Sequence, residues 1–448
     1  MKAPSNRGHS ASRRDFLRTS ASVLAGAALT NAIAARSYAA ADETLKVALI
    51  GCGGRGGGAL AQALATKGPT KLWATADFFP QRANGTAEAF TKRLPNQADV
   101  PPDRRFGGLD AYKKAIDSLG AGGVVLLATP PGFRPIHLEY AVSKGCHVFM
   151  EKSFAVDAPG IRRVLKAGEE ATKKNLKIVG GLNQRYRLQN QDAIQQLHDG
   201  LIGERISCWA YRMHGAVGFS PKNANESDLA HQIRNYSNFT WLNGSFLLDW
   251  LIHNLDVCCW AKNAWPVSAQ GHGARMVRTE PDQLFDHYAV EYSFADGTRM
   301  VAQGRHQPNV WGFFGVVIHG ATGCAVLGEG IGAIRLYKGW NRTRENQIWE
   351  PKRPEPDCYQ HEHTVLFEAI RENKPHNDTE RCAKTAFTGI LGRMAAESGQ
   401  LLTWDQALAS TVELAPGLEN MTMESDPPVK PDAQGRYPVA MPGVTRVL

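Results

Sequence analysis

The chain has 448 residues, 43% of them hydrophobic and 21% charged, and a formal net charge of +8. Its first 40 residues hold six Lys/Arg against one acid, so five of those eight charges belong there and only +3 stays with the rest. That near-neutral balance argues against nucleic acid as a partner, and the length favours two domains over one.

The first 40 residues read as an export leader. "SRRDFLRTSASVLAGAALT" places Arg13 and Arg14 before Phe16, Leu17 and a short apolar run. That run, 20–35, is shorter than the ~20 residues a bilayer span needs. A charged start, a short apolar middle and a small-residue exit at "SYAAAD" describe a cleavable signal, with cleavage expected near Ala39–Ala41. The S-R-R-x-F-L core resembles the twin-arginine signal, whose pathway exports folded proteins. No later apolar run reaches spanning length, so no stable membrane insertion is expected after cleavage.

The next segment is "LKVALIGCGGRGGGALAQALA", a β-rich run, a glycine loop and a helical stretch. In that context Gly51, Gly53, Gly54, Arg55 and Gly56 form a dinucleotide-binding fingerprint. Gly51 permits the tight turn, Gly53 lets the backbone approach a pyrophosphate, and Gly56 lets helix and strand pack closely. The helix N-terminus offers its unpaired N–H groups to the phosphates. The following strand, "KLWATADFF", reaches Asp77, whose carboxylate suits ribose hydroxyls and repels a 2′-phosphate. NAD is therefore expected over NADP. Strands "GGVVLLATPP" and "CHVFMEKSF" lead to Thr129-Pro130 and Glu151-Lys152. Such alternation predicts a parallel, doubly wound sheet whose ligand lies beyond the strands' carboxyl ends.

After "LKIVGGLNQRY" the pattern changes. "LLDWLIHNLDVCCW" reads as one helix with Asp249 and His253 on a shared face. "HYAVEYSF", "RMVAQGRH", "GVVIHG", "AVLGEG" and "AIRLYKG" alternate as strands of an antiparallel sheet do. The apolar face with Tyr288, Val290, Tyr292 and Phe294 needs cover, from the chain itself or a neighbouring subunit. A homodimer or homotetramer is expected. The Pro-rich end reads as an extended tail over the surface or a neighbouring subunit. The expected divisions are a leader at 1–40, a dinucleotide-binding domain at 44–182, a substrate and oligomerisation domain at 183–424 and a tail at 425–448. Eight cysteines without C-x-x-C spacing give no zinc site, and none is expected in an essential disulfide. His361 and His363, two apart with no third ligand nearby, do not make a metal site either.

These features together resemble the Gfo/Idh/MocA oxidoreductases. The resemblance rests on Gly51–Gly56, Thr129-Pro130, Glu151-Lys152, Asp249-x-x-x-His253 and "HGATG" at 319–323. It implies an N-terminal Rossmann domain joined to a C-terminal α/β domain with a large, open, mostly antiparallel sheet. It also implies hydride transfer between a carbohydrate hydroxyl and a tightly bound nicotinamide cofactor. In the family a proline follows the Glu-Lys pair; here Ser153 does, which puts the placement of Lys152 in question. The family order groups Lys152, Asp249 and His253. A base with a pKa near 7 points to His253, with Asp249 orienting it or holding a sugar hydroxyl. Lys152 would stabilise the developing alkoxide.

Arg185 and Tyr186 are candidate substrate contacts, against capping and interdomain packing, as are Asn183 and Gln184. Trp241, in an expected loop, is a candidate to stack on a sugar. The resemblance extends to exported NAD-dependent α-N-acetylgalactosaminidases, so a glycosidase using transient oxidation stands as the alternative. A binding protein without catalysis is a third reading.

Overall fold

The computed structural model describes residues 43–328 and 333–448, so the expected leader lies outside the described residues. The first domain opens with β1 (Leu45–Ile50), α1 (Gly54–Leu64), β2 (Thr70–Asp77) and α2 (Pro80–Arg93). It continues through β3 (Arg105–Gly107), α3 (Ala111–Leu119), β4 (Val124–Leu127) and α4 (Arg134–Ser143). Strand β5 (His147–Met150), α5 (Ala158–Lys173) and β6 (Ile178–Gly180) complete it. The strands are parallel in the order β3-β2-β1-β4-β5-β6, the doubly wound arrangement whose crevice opens at the carboxyl ends beside β1 and β4. Residues of β4 and β5 are fully buried on both faces, as a strand between two helical layers must be.

The second domain starts with α6 (Leu188–His198) and the long strand β7 (Arg205–His214). A run of short helices follows: α7 (Asp228–Arg234), α8 (Thr240–Asn243), α9 (Phe246–Asp249) and α10 (Ile252–Lys262). Strands β8 (Ser268–Ala274), β9 (His287–Ser293), β10 (Arg299–His306) and β11 (Phe313–Gly320) come next. Then follow β12 (Gly323–Gly328), β13 (Ile334–Lys338) and β14 (Gln347–Trp349). Helices α11 (Cys358–Arg371) and α12 (Thr379–Ser398), strand β15 (Leu402–Thr403) and α13 (Trp404–Ala409) end the regular structure. The nine strands order as β14-β13-β12-β11-β7-β10-β9-β8-β15. All neighbours are antiparallel except β7 and β10. The α/β fold of a Rossmann domain plus an open, mostly antiparallel sheet is the one the sequence predicts.

One detail settles an open choice and two differ from expectation. The sheet face with Tyr288, Val290, Tyr292 and Phe294 is covered by the chain's own helices, one of the two covers the sequence allows. Tyr292 is fully buried, and a Cβ on Gly392 of α12 would collide with its hydroxyl. The opposite face is the partly open one; there Trp209 stacks on Tyr211, and Phe313 packs beside them. Second, the first domain takes a helix from beyond residue 182. Leu366, Phe367 and Ile370 of α11 are buried in the same core as Val47, Leu49 and Leu60. Third, the single helix expected through Asp249 and His253 is broken between α9 and α10. The Asp249 carbonyl accepts from Lys152 Nζ, so a partner from the other domain takes the place of helical continuation.

Candidate functional site

The cleft is built at the carboxyl ends of β1, β2, β4 and β5 and is roofed by the segment around α7. Gly51 has φ +98, and a Cβ there would lie 2.6 Å from the backbone of Ala128 and Thr129. Only glycine lets the loop turn this close to β4. At Gly56 a Cβ would strike the Gly51 carbonyl, so strand and helix pack there without a side chain. Gly53 and Gly54, by contrast, have open space where side chains would be, at the N-terminus of α1. A pyrophosphate fits that cradle of N–H groups.

Asp77 ends β2 and is mostly buried. Its Oδ2 accepts from the Cys52 N–H at 2.7 Å and its Oδ1 from the Phe79 N–H at 2.9 Å. Burial raises its pKa, while those N–H donors and Arg82 pull the other way. Phe78 and Arg82 line the cleft beside it. At the next strand end, the fully buried Arg134 donates from Nη2 to the Thr129 carbonyl at 2.6 Å. This fixes the Thr129-Pro130 turn against the cleft.

The far end carries the charges. Glu151 Oε1 accepts from Arg55 Nε at 2.6 Å, tying the glycine loop to the end of β5. Its Oε2 accepts from the Lys152 N–H at 3.2 Å. The Lys152–Ser153 peptide is cis, and Ser153 Oγ donates to the Leu248 carbonyl at 2.5 Å. A hydroxyl hydrogen bond to α9 thus accompanies serine at the position where the family has proline. Lys152 Nζ lies 2.9 Å from Asp249 Oδ1. Burial opposes the ammonium charge, but Asp249 and Tyr236 outweigh it and raise the Lys152 pKa.

Tyr236 was not legible as a site residue. It lies just after α7, lines the cleft with Ile233 and keeps 40% of its surface exposed. The Asp249 carboxylate, aided by burial, raises its pKa, and the Lys152 charge opposes this. Its segment has no periodicity, and only tertiary packing brings it to the cleft. Arg82 was also overlooked, although its position on the helix after Asp77 marked it.

His253 differs from expectation. It is not hydrogen-bonded to Asp249, which pairs with Lys152 instead, and its buried Nδ1 has no partner. Burial first, then the Lys152 charge, pushes its pKa down to about 3. The imidazole is therefore neutral at pH 7 rather than poised near it.

Three of the five expected substrate contacts are engaged elsewhere, and the other two, Asn183 and Gln184, are buried. Arg185 forms a two-pronged pair with the buried Asp256, at 2.6 and 2.9 Å, and lies over the Trp260 ring. The Tyr186 hydroxyl donates to Asp378 Oδ2 at 2.5 Å, well inside the protein. Trp241 lies in α8 rather than a loop, has no exposed surface and donates from Nε1 to Gln232 Oε1 at 2.7 Å. These are packing roles, which local sequence does not separate from substrate binding. Among the described residues no group of three or more His, Cys, Asp or Glu is placed to hold a metal ion.

No family model matches the chain. The fold recurs in solved structures across about four-fifths of the chain. The levoglucosan dehydrogenase complex with NADH and levoglucosan superposes with a TM-score of 0.63 at 17% identity, covering 81% of this chain and 100% of that one. The aldose-aldose oxidoreductase from Caulobacter crescentus, complexed with glycerol, gives 0.62 at 17% identity, covering 80% and 99%. The fold is that of the sugar and inositol dehydrogenases. In sequence, an inositol 2-dehydrogenase of Ralstonia nicotianae is 27% identical over 263 residues, 57% of this chain and 66% of that protein. A glycosyl hydrolase family 109 protein of Streptomyces coelicolor is 29% identical over 167 residues, 37% of this chain and 33% of that protein. The matches thus span about a third to just under two thirds of those relatives.

Proposed function

We propose that the protein is an exported oxidoreductase that transfers hydride between a sugar or polyol hydroxyl and a tightly held NAD. The observation that carries this is the placement of Lys152, Asp249 and Tyr236 in one cleft with the glycine cradle. When bound, the nicotinamide supplies the hydride acceptor. Gly53, Gly54 and the N-terminus of α1 hold the pyrophosphate, and Asp77 holds the adenosine ribose through its remaining lone pairs. Thr129, Pro130, Arg55 and Glu151 shape the path between the two ends.

Lys152 faces the reacting hydroxyl and stabilises the alkoxide by charge and hydrogen bonding, an effect strengthened where water is excluded. Asp249 keeps that ammonium charged and aimed. Tyr236, half in solvent, passes the hydroxyl proton outward. His253, neutral and with its Nδ1 buried, is not among the residues that line the cleft, and it acts on the site only from behind Lys152. Asp77 supports NAD over NADP; with Arg82 beside it, Asp77→Ser would shift preference towards NADP.

The paired arginines of the leader support export by the twin-arginine pathway. Among the described residues no helix is long and apolar enough to cross a membrane. A cofactor loaded before export must stay bound afterwards, so substrate oxidation has to be followed by reduction of a second substrate in the same cleft. The test offers a panel of sugars to the purified protein and follows keto-sugar formation together with the redox state of the bound dinucleotide. A keto-sugar appearing with reduced dinucleotide supports net redox; no change in either with any sugar contradicts it.

The similarity to the family 109 glycosyl hydrolase favours a second reading. There, oxidation of one hydroxyl to a ketone acidifies the neighbouring C–H, elimination breaks the glycosidic bond, water adds and the hydride returns. Aryl glycosides releasing their aglycone with no net change in NADH would select it.

A further inference from the structure

The C-terminal tail bridges both domains beside the cleft. It has no helix or strand after Asn420, so its order comes from what it touches. On the first domain, the Leu414 N–H donates to Asp157 Oδ2 at 2.9 Å and Glu419 lies 3.7 Å from Arg163. Met423 then lies against Gly108: a Cβ on that glycine would be 3.8 Å from the methionine sulfur. The Gly108 N–H donates to the carbonyls of Asp77 and Phe78, at the corner assigned to adenosine.

The tail next reaches the second domain at Gln232 of α7, which is fully buried. Gln232 Nε2 donates to the Val429 carbonyl at 2.7 Å, while its Oε1 accepts from Trp241. Tyr437, only 7% exposed, packs edge-on against Phe239, with ring centroids 4.7 Å apart. Its N–H donates to the Pro281 carbonyl at 2.8 Å. Gln232 adjoins Ile233 and precedes Tyr236 by four residues, and both of these line the cleft.

We propose that residues 414–440 act as a strap that positions Ile233 and Tyr236 over the cleft and thereby retains the bound dinucleotide. This rests on the reading that the cleft holds a nicotinamide dinucleotide. Ordering an extended segment costs backbone entropy, which contacts on both sides of the cleft offset. Lifting the α7 segment to release the cofactor breaks the Gln232–Val429 bond and the Tyr437–Phe239 contact together. Tyr437 is a positioning residue: it acts through its ring contact with Phe239.

The test measures NADH release from the full chain by fluorescence, for the parent, Tyr437→Ala and Tyr437→Phe, alongside thermal stability of each. Tyr437→Ala should release NADH roughly tenfold faster, since altered contacts act mainly through off-rates. Tyr437→Phe keeps the edge-on ring and should restore a rate close to the parent's. A folded Tyr437→Ala with the parent's release rate overturns the strap. If Tyr437→Ala does not fold, hydrogen exchange on the unaltered protein decides. NADH binding should slow exchange at the Tyr437 amide and in α7, and unchanged exchange at Tyr437 with NADH bound overturns the strap. A parent chain that binds no NADH overturns the reading of the cleft itself.

Discussion

Lys152 and Asp249 come from different domains and meet at 2.9 Å, the contact on which the proposed chemistry rests. If Lys152 stabilises the alkoxide and Tyr236 relays the proton, Lys152→Met and Tyr236→Phe should each lower kcat about 10²–10⁴-fold. Both should leave the fold and dinucleotide binding in place, as stopped-flow turnover and NADH titration would show. The double variant should lose less than the product of the two, because groups acting as one unit fail together. His253 makes a separate prediction through pH. Its folded pKa of about 3 lies below the ordinary 6.5, so between those values the unfolded chain holds a proton that the folded chain does not. Its contribution is therefore present above pH 6.5 and is lost as pH falls towards 3, by about 1.4 kcal/mol per pH unit. Denaturation curves from pH 7 to 4 should show His253→Asn losing about one proton's worth of that slope relative to the parent. An unchanged slope would contradict the buried, neutral imidazole.

Helix α11 shows how elements, rather than single residues, hold the site. It follows β14 in the chain, yet its apolar face completes the core beneath the glycine loop. Phe367, 1% exposed, sits in that core, so Phe367→Ala should cost about 3–5 kcal/mol of stability. Because α11 packs on α1, NADH affinity should fall as well; urea unfolding and titration measure the two effects. The strand–loop–helix start, Asp77, Thr129 and Lys152 were legible in the sequence because each sits at a strand end that the hydrophobic pattern already marks. The α9–α10 break was not, because a lysine from another domain takes the Asp249 carbonyl. Tyr236 was hidden for a similar reason: its short segment is irregular and is placed by Gln232 and the tail. Trp241 and Tyr186 misled because an aromatic residue in a polar stretch looks the same whether it faces a sugar or a buried glutamine or aspartate.

At the scale of the whole molecule, one sheet face is sealed by α10 and α12 while the other carries Trp209, Tyr211 and Phe313, with Trp311 62% exposed beside them. Pairing of subunits through that outer face is the proposed route to a dimer or tetramer. Light scattering at micromolar concentration should report more than one chain per particle, and Trp209→Glu should shift it towards monomer. The central claim concerns the cleft between the domains, and the dinucleotide itself tests it most directly. Protein purified without added cofactor is denatured, and the released small molecules are weighed by mass spectrometry before and after exposure to sugars. The account predicts about one nicotinamide dinucleotide per chain, with NAD converted to NADH by the true substrate. Protein that carries no dinucleotide, and takes none up when NAD or NADH is supplied during folding, would contradict it.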